Sequence, residues 1–169
     1  PTPIDCRFHQ NILNQSCSEQ YYWLNKTLNN ISNKDWIIVA GHHPANEIDN
    51  QDFASLLVGK NIDLYLNGHA HELRYYQINN KGCWITTGAG SMVSTDSETK
   101  DNTSNNTSYN TSYNTSKNNF NYSSIWNRTI AGFTVHKFNQ NFTKLKTFFI
   151  DFSGNLIYNI SIKKKININ

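Results

Sequence analysis

The alternation of apolar and polar positions divides the chain into two unlike halves. Leu24, Leu28 and Ile31 recur at helical spacing, and Ser16 precedes Glu19 in a capping-box arrangement, so the pattern predicts an amphipathic helix from about 18 to 32. After a polar break, Trp36-Ile37-Ile38-Val39-Ala40 is β-rich and apolar on both faces, as an interior strand of a layered α/β fold would be, and Gly41 ends it. Residues 51–59, "QDFASLLVG", read as a short helix closed by Gly59, and 62–66 as a second buried strand. "LRYYQI" and "CWITTG" then predict paired strands joined at "NNKG". From about 94 to 124 the chain turns to Asn, Ser and Thr with almost no aliphatic residues, a composition that cannot offset its own ordering entropy, and a surface loop insertion is expected. Three strand-like segments follow: "TIAGFTVHKF", "TKLKTFFIDF" and "NLIYNISIKK", the last two separated by the turn "SGN". Helix, strand, helix, then mostly strands implies a helix-covered sheet of the α/β (α+β) class.

Composition narrows this only slightly. At 169 residues the chain suits one domain. No apolar run approaches the roughly 20 residues of a membrane helix, so no membrane span is expected. The net charge of +3 is small, and the basic cluster Lys163-Lys164-Lys165 reads as a solvated strand end. No nucleic-acid motif is present, and no nucleic-acid partner is expected. Of the three cysteines, Cys6 and Cys17 flank a short loop that a disulfide would close, whereas Cys83 has no evident mate and reads as buried. Sequons recur at Asn14, Asn25, Asn30, Asn102, Asn106, Asn110, Asn114, Asn121, Asn127, Asn141 and Asn159. A chain rich in Asn and Ser/Thr produces some by chance, but their number favours a glycoprotein of a secretory or lysosome/vacuole-like compartment.

The candidate chemistry lies in three histidines just past strand ends: His42 in "VAGHHP", and His69 and His71 in "NGHAH". Ligands collect at strand C-terminal ends in layered α/β folds, because the following loops converge on a rigid base. Any one of them reads readily as an ordinary hydrogen-bonded residue. As a set in matched Gly-His contexts they point to imidazole ligands of a metal, with Gly41 and Gly68 expected to permit the tight turns. Asp49, Asp52 and Asp63 are carboxylate candidates by type; the first two begin a helix and Asp63 alternates out of the apolar face, so all three read as structural.

Together, "DWIIVAGHHP", "NIDLYLNGHAHELRYY" and "WITTGAGS" resemble the second half of the calcineurin-like metallophosphoesterases. Within these, the tartrate-resistant purple acid phosphatases carry Val-Ala-Gly-His-x-Pro, Gly-His-x-His-x-Leu-x-Tyr and a Gly-Ala-Gly turn in the same order. The resemblance spans residues 18–93 and, loosely, the C-terminal strands. It implies the C-terminal half of a sandwich of two mixed β-sheets flanked by helices. It also implies that His42 and His69 bind the divalent ion, and His71 the ferric ion, of a dinuclear centre pairing Fe(III) with Fe(II), Zn(II) or Mn(II). The implied activity is acid phosphatase: hydrolysis of phosphomonoesters at acid pH, with two ions activating water and stabilising developing charge. Gly88-Ala89-Gly90 is expected to pack close to the site.

There are departures from the family pattern. The Asp-x-His, Gly-Asp-x-x-Tyr and Gly-Asn-His blocks of the family's first half are not in this chain, so the resemblance implies a fragment, or one chain of a nicked protein, whose partner is the missing N-terminal half. The further histidine that these phosphatases carry after Gly-His-x-Pro is also missing from "ANEIDNQDF"; His43 and Glu47 are substitutes by position, with plain loop residues as the alternative. His9 and His136 match no motif and read as structural. The competing function is a non-catalytic scaffold of the same fold, resembling the membrane-anchored relatives of parasitic protozoa.

Overall fold

The computed structural model describes residues 18–32, 34–45, 51–91, 93 and 120–164. Ser16, the Cys6–Cys17 pair, His9, Glu47, Asp49 and most of the expected insertion fall outside them. The elements are α1 (Ser18–Asn30), β1 (Ile38–Ala40), α2 (Gln51–Gly59), β2 (Leu64–Asn67), β3 (Leu73–Ile78), β4 (Lys81–Thr87), β5 (Tyr122–Arg128), β6 (Gly132–Phe138), β7 (Lys144–Asp151) and β8 (Leu156–Lys163). Among the described residues no helix is long and apolar enough to cross a membrane.

These elements stack as three layers. A five-stranded sheet runs β1-β2-β4-β3-β5, with β1, β2 and β4 parallel and β3 antiparallel to both β4 and β5. Alternation along each strand then sorts side chains to two faces. Tyr65, Tyr76, Ile78 and Trp84 pack with Leu28 of α1 and Leu56 and Leu57 of α2, whereas Leu64, Leu73, Cys83 and Ile85 pack with Leu145 and Phe149 of the second sheet. That second sheet, β6-β7-β8, is wholly antiparallel. Leu64, Leu73, Ile85, Leu145 and Phe149 are fully buried, each contributing about 1.5–3 kcal/mol by burial. The β3–β4 hairpin turns at Asn79 and Asn80, both left-handed at φ 53° and 57°, which matches the paired positive φ of a two-residue hairpin turn.

The architecture corrects several expectations. The strand read as interior, β1, lies at the sheet edge, with Ile38 42% exposed: its apolar content has no neighbour on that side among the described residues. A strand, β5, begins inside the expected insertion at Tyr122. Its Ser and Asn content conceals it from pattern reading, and it forms because the outer edge of β3 offers a ladder. A bulge in the β3–β5 pairing shifts register between Tyr75 and Tyr76, which lets Tyr122 face the helices and Trp126 the second sheet, where it stacks on Tyr158 at 4.6 Å and 4°.

Nor is Lys164 a solvated strand end. Its Nζ sits 2.7 Å from Asp63 Oδ2 and 5.7 Å from the centre of the Trp36 ring, with both side chains of the ion pair nearly buried. Asp63 Oδ2 also accepts the Ile37 amide at 2.8 Å, so this carboxylate is structural and ties the end of β8 to the entry of β1. Cys83 is a buried free thiol whose pKa burial pushes up to about 12. His136 is likewise structural, within hydrogen-bonding distance of the hydroxyls of Thr134 (3.1 Å) and Thr147 (2.9 Å).

Candidate metal centre

The parallel arrangement of β1, β2 and β4 brings their C-terminal ends to one edge of the sheet, and each end carries one of the Gly-containing segments. The ladder continues past the strands: Gly41 N donates to Leu66 O and Gly68 N to His42 O, both at 2.9 Å. His42 and His69 therefore face each other, His69 Nδ1 lying 3.2 Å from His42 Nε2. At that distance, without an ion, one nitrogen carries the proton that the other accepts.

His43 completes the group. Ring centres lie 4.8 Å apart for His42–His43, 5.1 Å for His42–His69 and 4.2 Å for His43–His69. One nitrogen from each of these three imidazoles falls within 4.8 Å of the others. Consecutive side chains on a strand point to opposite faces, so His42 and His43 converge only because the chain bends immediately after Gly41. His71, the third ligand expected from the sequence, is not in this cluster; His43, weighed as a plain loop residue, is. Asp63 lies in its ion pair with Lys164, and the side chain of Asp52 lies outside the described residues.

The turn conformation also differs from expectation. The left-handed residue is His69 itself, at φ 55°, and not Gly68. Non-glycine residues seldom adopt this region, and where they do the surrounding structure must hold them there. Gly88 is part of that surround. A Cβ on Gly88 would stand 2.1 Å from Ala70 O and 3.2 Å from Gly68 C, so only glycine lets the Gly-Ala-Gly turn pack against the Gly-His-Ala-His loop. A Cβ on Gly41 would likewise meet the Tyr65 hydroxyl at 2.2 Å.

Three tyrosines hold the 41–45 loop, a role the sequence reading missed because each looks like a core or strand aromatic. Tyr65 donates to His43 O at 2.9 Å, Tyr76 accepts the Ala45 amide at 3.1 Å, and Tyr122 donates to Ala45 O at 3.4 Å. Asn67 donates to the Tyr76 hydroxyl at 3.3 Å and accepts from Thr86 at 2.8 Å, completing a buried polar network. Burial pushes the pKa of Tyr65 and Tyr122 up to about 12 and raises that of Tyr76, so all three keep their protons at any physiological pH.

The donor set consists of imidazole nitrogens. That suits a divalent cation of borderline softness such as zinc, cobalt or ferrous iron, and not magnesium or calcium, which want oxygen ligands. No carboxylate joins the cluster among the described residues, so these side chains fit one ion, and a second ion needs ligands from elsewhere.

A mixed sheet covered by helices on one face, backed by a second sheet, with imidazoles gathered at its parallel strand ends, is part of a metallophosphoesterase fold. Residues 5–73, which hold every histidine of the chain except His136, match the family model for calcineurin-like phosphoesterases. The chain is 30% identical over 87 residues to tartrate-resistant acid phosphatase type 5 of Oryctolagus cuniculus (47% of this chain, 26% of that protein). It is 32% identical over 82 residues to the Rattus norvegicus protein of the same name (44% and 25%). The chain thus spans about a quarter of the length of these curated relatives. In fold it is similar to the purple acid phosphatase PPD1 from yellow lupin seeds (TM-score 0.61, 15% identity, 86% of this chain and 28% of that one). It is also similar to GAP50, the anchor in the inner membrane complex of Plasmodium (TM-score 0.65, 21% identity, 98% of this chain and 47% of that one). In sequence the chain is thus similar to calcineurin-like phosphoesterases, and in fold to a purple acid phosphatase.

Proposed function

We propose that this chain supplies the C-terminal, imidazole-bearing part of a dinuclear metal centre in an acid phosphatase acting on phosphomonoesters. The observation that carries the reading is the convergence of His42 and His69 at adjacent parallel strand ends, within the segment matched to phosphoesterases. In this reading His42 and His69 hold the divalent ion, His71 reaches the ferric ion, and the remaining ligands, including bridging carboxylates, come from an N-terminal half of the same fold. Among the described residues β1 has no neighbour on its outer side and Ile38 is exposed, which supports such a partner. The ions, Fe(III) with Fe(II), Zn(II) or Mn(II), supply Lewis-acid polarisation of the phosphoryl group and activation of water. The chain's own residues orient the ligands: Tyr65 and Tyr76 fix the backbone of 43–45, and Gly88 supports the loop bearing His69. Exposed sequon residues at Asn30, Asn121, Asn127, Asn141 and Asn159 support a secretory or lysosome/vacuole-like location.

The test is hydrolysis of an aryl phosphate at acid pH by the longest natural form of the protein, before and after chelation and in His71→Ala. Activity that vanishes on chelation, returns with iron plus zinc, and falls by at least ~100-fold in the variant is expected. Full activity in His71→Ala overturns the reading. A second reading, a non-catalytic scaffold, is favoured by the similarity to GAP50 across nearly the whole chain. It predicts no hydrolysis by the metal-loaded protein, together with stable capture of a protein partner by the metal-free form.

A further inference from the structure

The outer face of the second sheet is built in two halves. Register sets Lys137 opposite Lys146 and Lys144 opposite Lys163, so two like-charged pairs stand side by side across β6, β7 and β8. Like charges directly opposite destabilise a sheet, and among the described residues none of the four makes an ion pair. Toward the other end of the same strands the rows turn apolar: Val135 lies opposite Phe148, and Ile150 lies between Phe133 and Leu156. Phe133 is 50% exposed, Leu156 56%, and Phe152 in the adjoining β7–β8 turn 73%. The inner face of this sheet packs on the first sheet, and both helices lie beyond that, so no described element covers the outer face. Charge is uneven as well: residues 120–169 hold seven Lys and Arg against one acid, Asp151, in a chain of net charge +3.

We propose that this face docks on an anionic lipid surface, with its lysines on headgroup phosphates and its apolar end among the outermost acyl carbons. The lysines come from three adjacent strands spaced about 4.8 Å apart, a two-dimensional array, whereas a single helix or peptide would meet them along one line. At about 3.4 Å per residue, Lys146 stands roughly 14 Å along β7 from Ile150. An apolar end immersed by the roughly 5–10 Å usual for interfacial elements leaves the lysines just above it, and their flexible stems span the remaining distance to the phosphates. Headgroup charge would also relieve the repulsion within the two opposed pairs, so docking and sheet stability act in the same direction.

The experiment is co-sedimentation of the longest natural form of the protein, and of the 169-residue chain, with vesicles of equimolar phosphatidylserine and phosphatidylcholine or of phosphatidylcholine alone. The protein is made without N-linked glycans, because Asn159 lies opposite Phe148 on this face. Binding to the anionic vesicles alone, weakening as salt rises, is expected. Each lysine near such a surface is worth about fivefold, so Lys137→Gln combined with Lys146→Gln is expected to weaken binding roughly 20-fold or more. That variant is expected to melt no lower than the parent, since the opposed charges are gone. Phe152→Ser combined with Leu156→Ser is expected to abolish the binding that persists at high salt, where the charge contribution is screened. Equal binding to neutral vesicles, parental binding by the lysine variant, or no binding by either form overturns the proposal. Capture on heparin beads without vesicle binding also overturns it and marks a soluble polyanion as the ligand. Binding by the 169-residue chain that the longest form lacks overturns it too, by showing the face covered by another part of the protein. None of these readouts involves metal content or hydrolysis, so the phosphatase reading is decided separately.

Discussion

His69 combines the features that make the site: an exposed imidazole, a left-handed backbone and a partner nitrogen 3.2 Å away. A left-handed L-residue costs about 1–2 kcal/mol relative to its right-handed form, a cost glycine escapes. His69→Gly is therefore expected to raise stability toward urea by up to about 1 kcal/mol while weakening metal binding, two readouts moving in opposite directions. Unchanged stability would mean that the loop relaxes around His69 without strain. Gly88 tests the same loop from beneath. Gly88→Ala drives a methyl into Ala70 O, and the resulting shift is expected to cost about 1–3 kcal/mol and to disorder the imidazole cluster. A variant with parental melting temperature and metal affinity would show that the turn has room the geometry denies. The sequence announced these residues as a group, through Gly-His and Gly-Ala-Gly. It did not announce that the histidine and not the glycine takes the left-handed position, because that depends on Gly88 pressing against the loop.

At the scale of elements, the parallel run β1-β2-β4 decides the site and the Lys164–Asp63 pair decides how β8 closes onto it. Asp63 is buried, and besides Lys164 it accepts the Ile37 amide at the entry to β1. Removing one member of a buried pair leaves the other charge uncompensated, typically costing about 3–5 kcal/mol. Asp63→Asn keeps the shape and one acceptor for Ile37, so a loss near the lower end is expected, measured by chemical denaturation. A loss below about 0.5 kcal/mol would indicate that Lys164 swings to solvent at no cost, as surface pairs do. Most elements were legible: α1, α2, the β3–β4 hairpin and β6 to β8 follow from spacing and turn residues. What was not legible is β5, since Tyr122-Ser123-Ser124 has no strand periodicity of its own. It takes that form because β3 supplies hydrogen bonds along its length, and because a bulge re-aims Trp126 onto Phe149 and Tyr158.

Over the whole molecule, acid pH sets protein stability against the activity proposed for it. Burial lowers the pKa of His136, so its folded form favours the neutral ring and its unfolded form binds the proton more readily. The stability it allows is complete above the ordinary value of 6.5 and is lost as pH falls from there toward the folded value. Asp151 acts lower down. Hydrogen bonds from the Asn155 amide and side chain and the Ser153 amide hold its carboxyl below the ordinary carboxylate value, and that contribution disappears only as pH falls through its folded value. Melting temperature is therefore expected to decline from about pH 6.5 downward, and less steeply in His136→Gln; an identical slope in that variant would remove His136 as the cause. The sequence by itself determined most element types, the order helix, strand, helix, then mostly strands, and the segments that bear the chemistry, because periodicity and turn residues act locally. Only the tertiary structure decided that β1 lies at the edge of the described sheet, that β5 exists, that Lys164 pairs with Asp63, and that His43 joins His42 and His69. Each of these depends on which strand ends lie side by side, and residues separated in sequence meet there only after the sheet has paired.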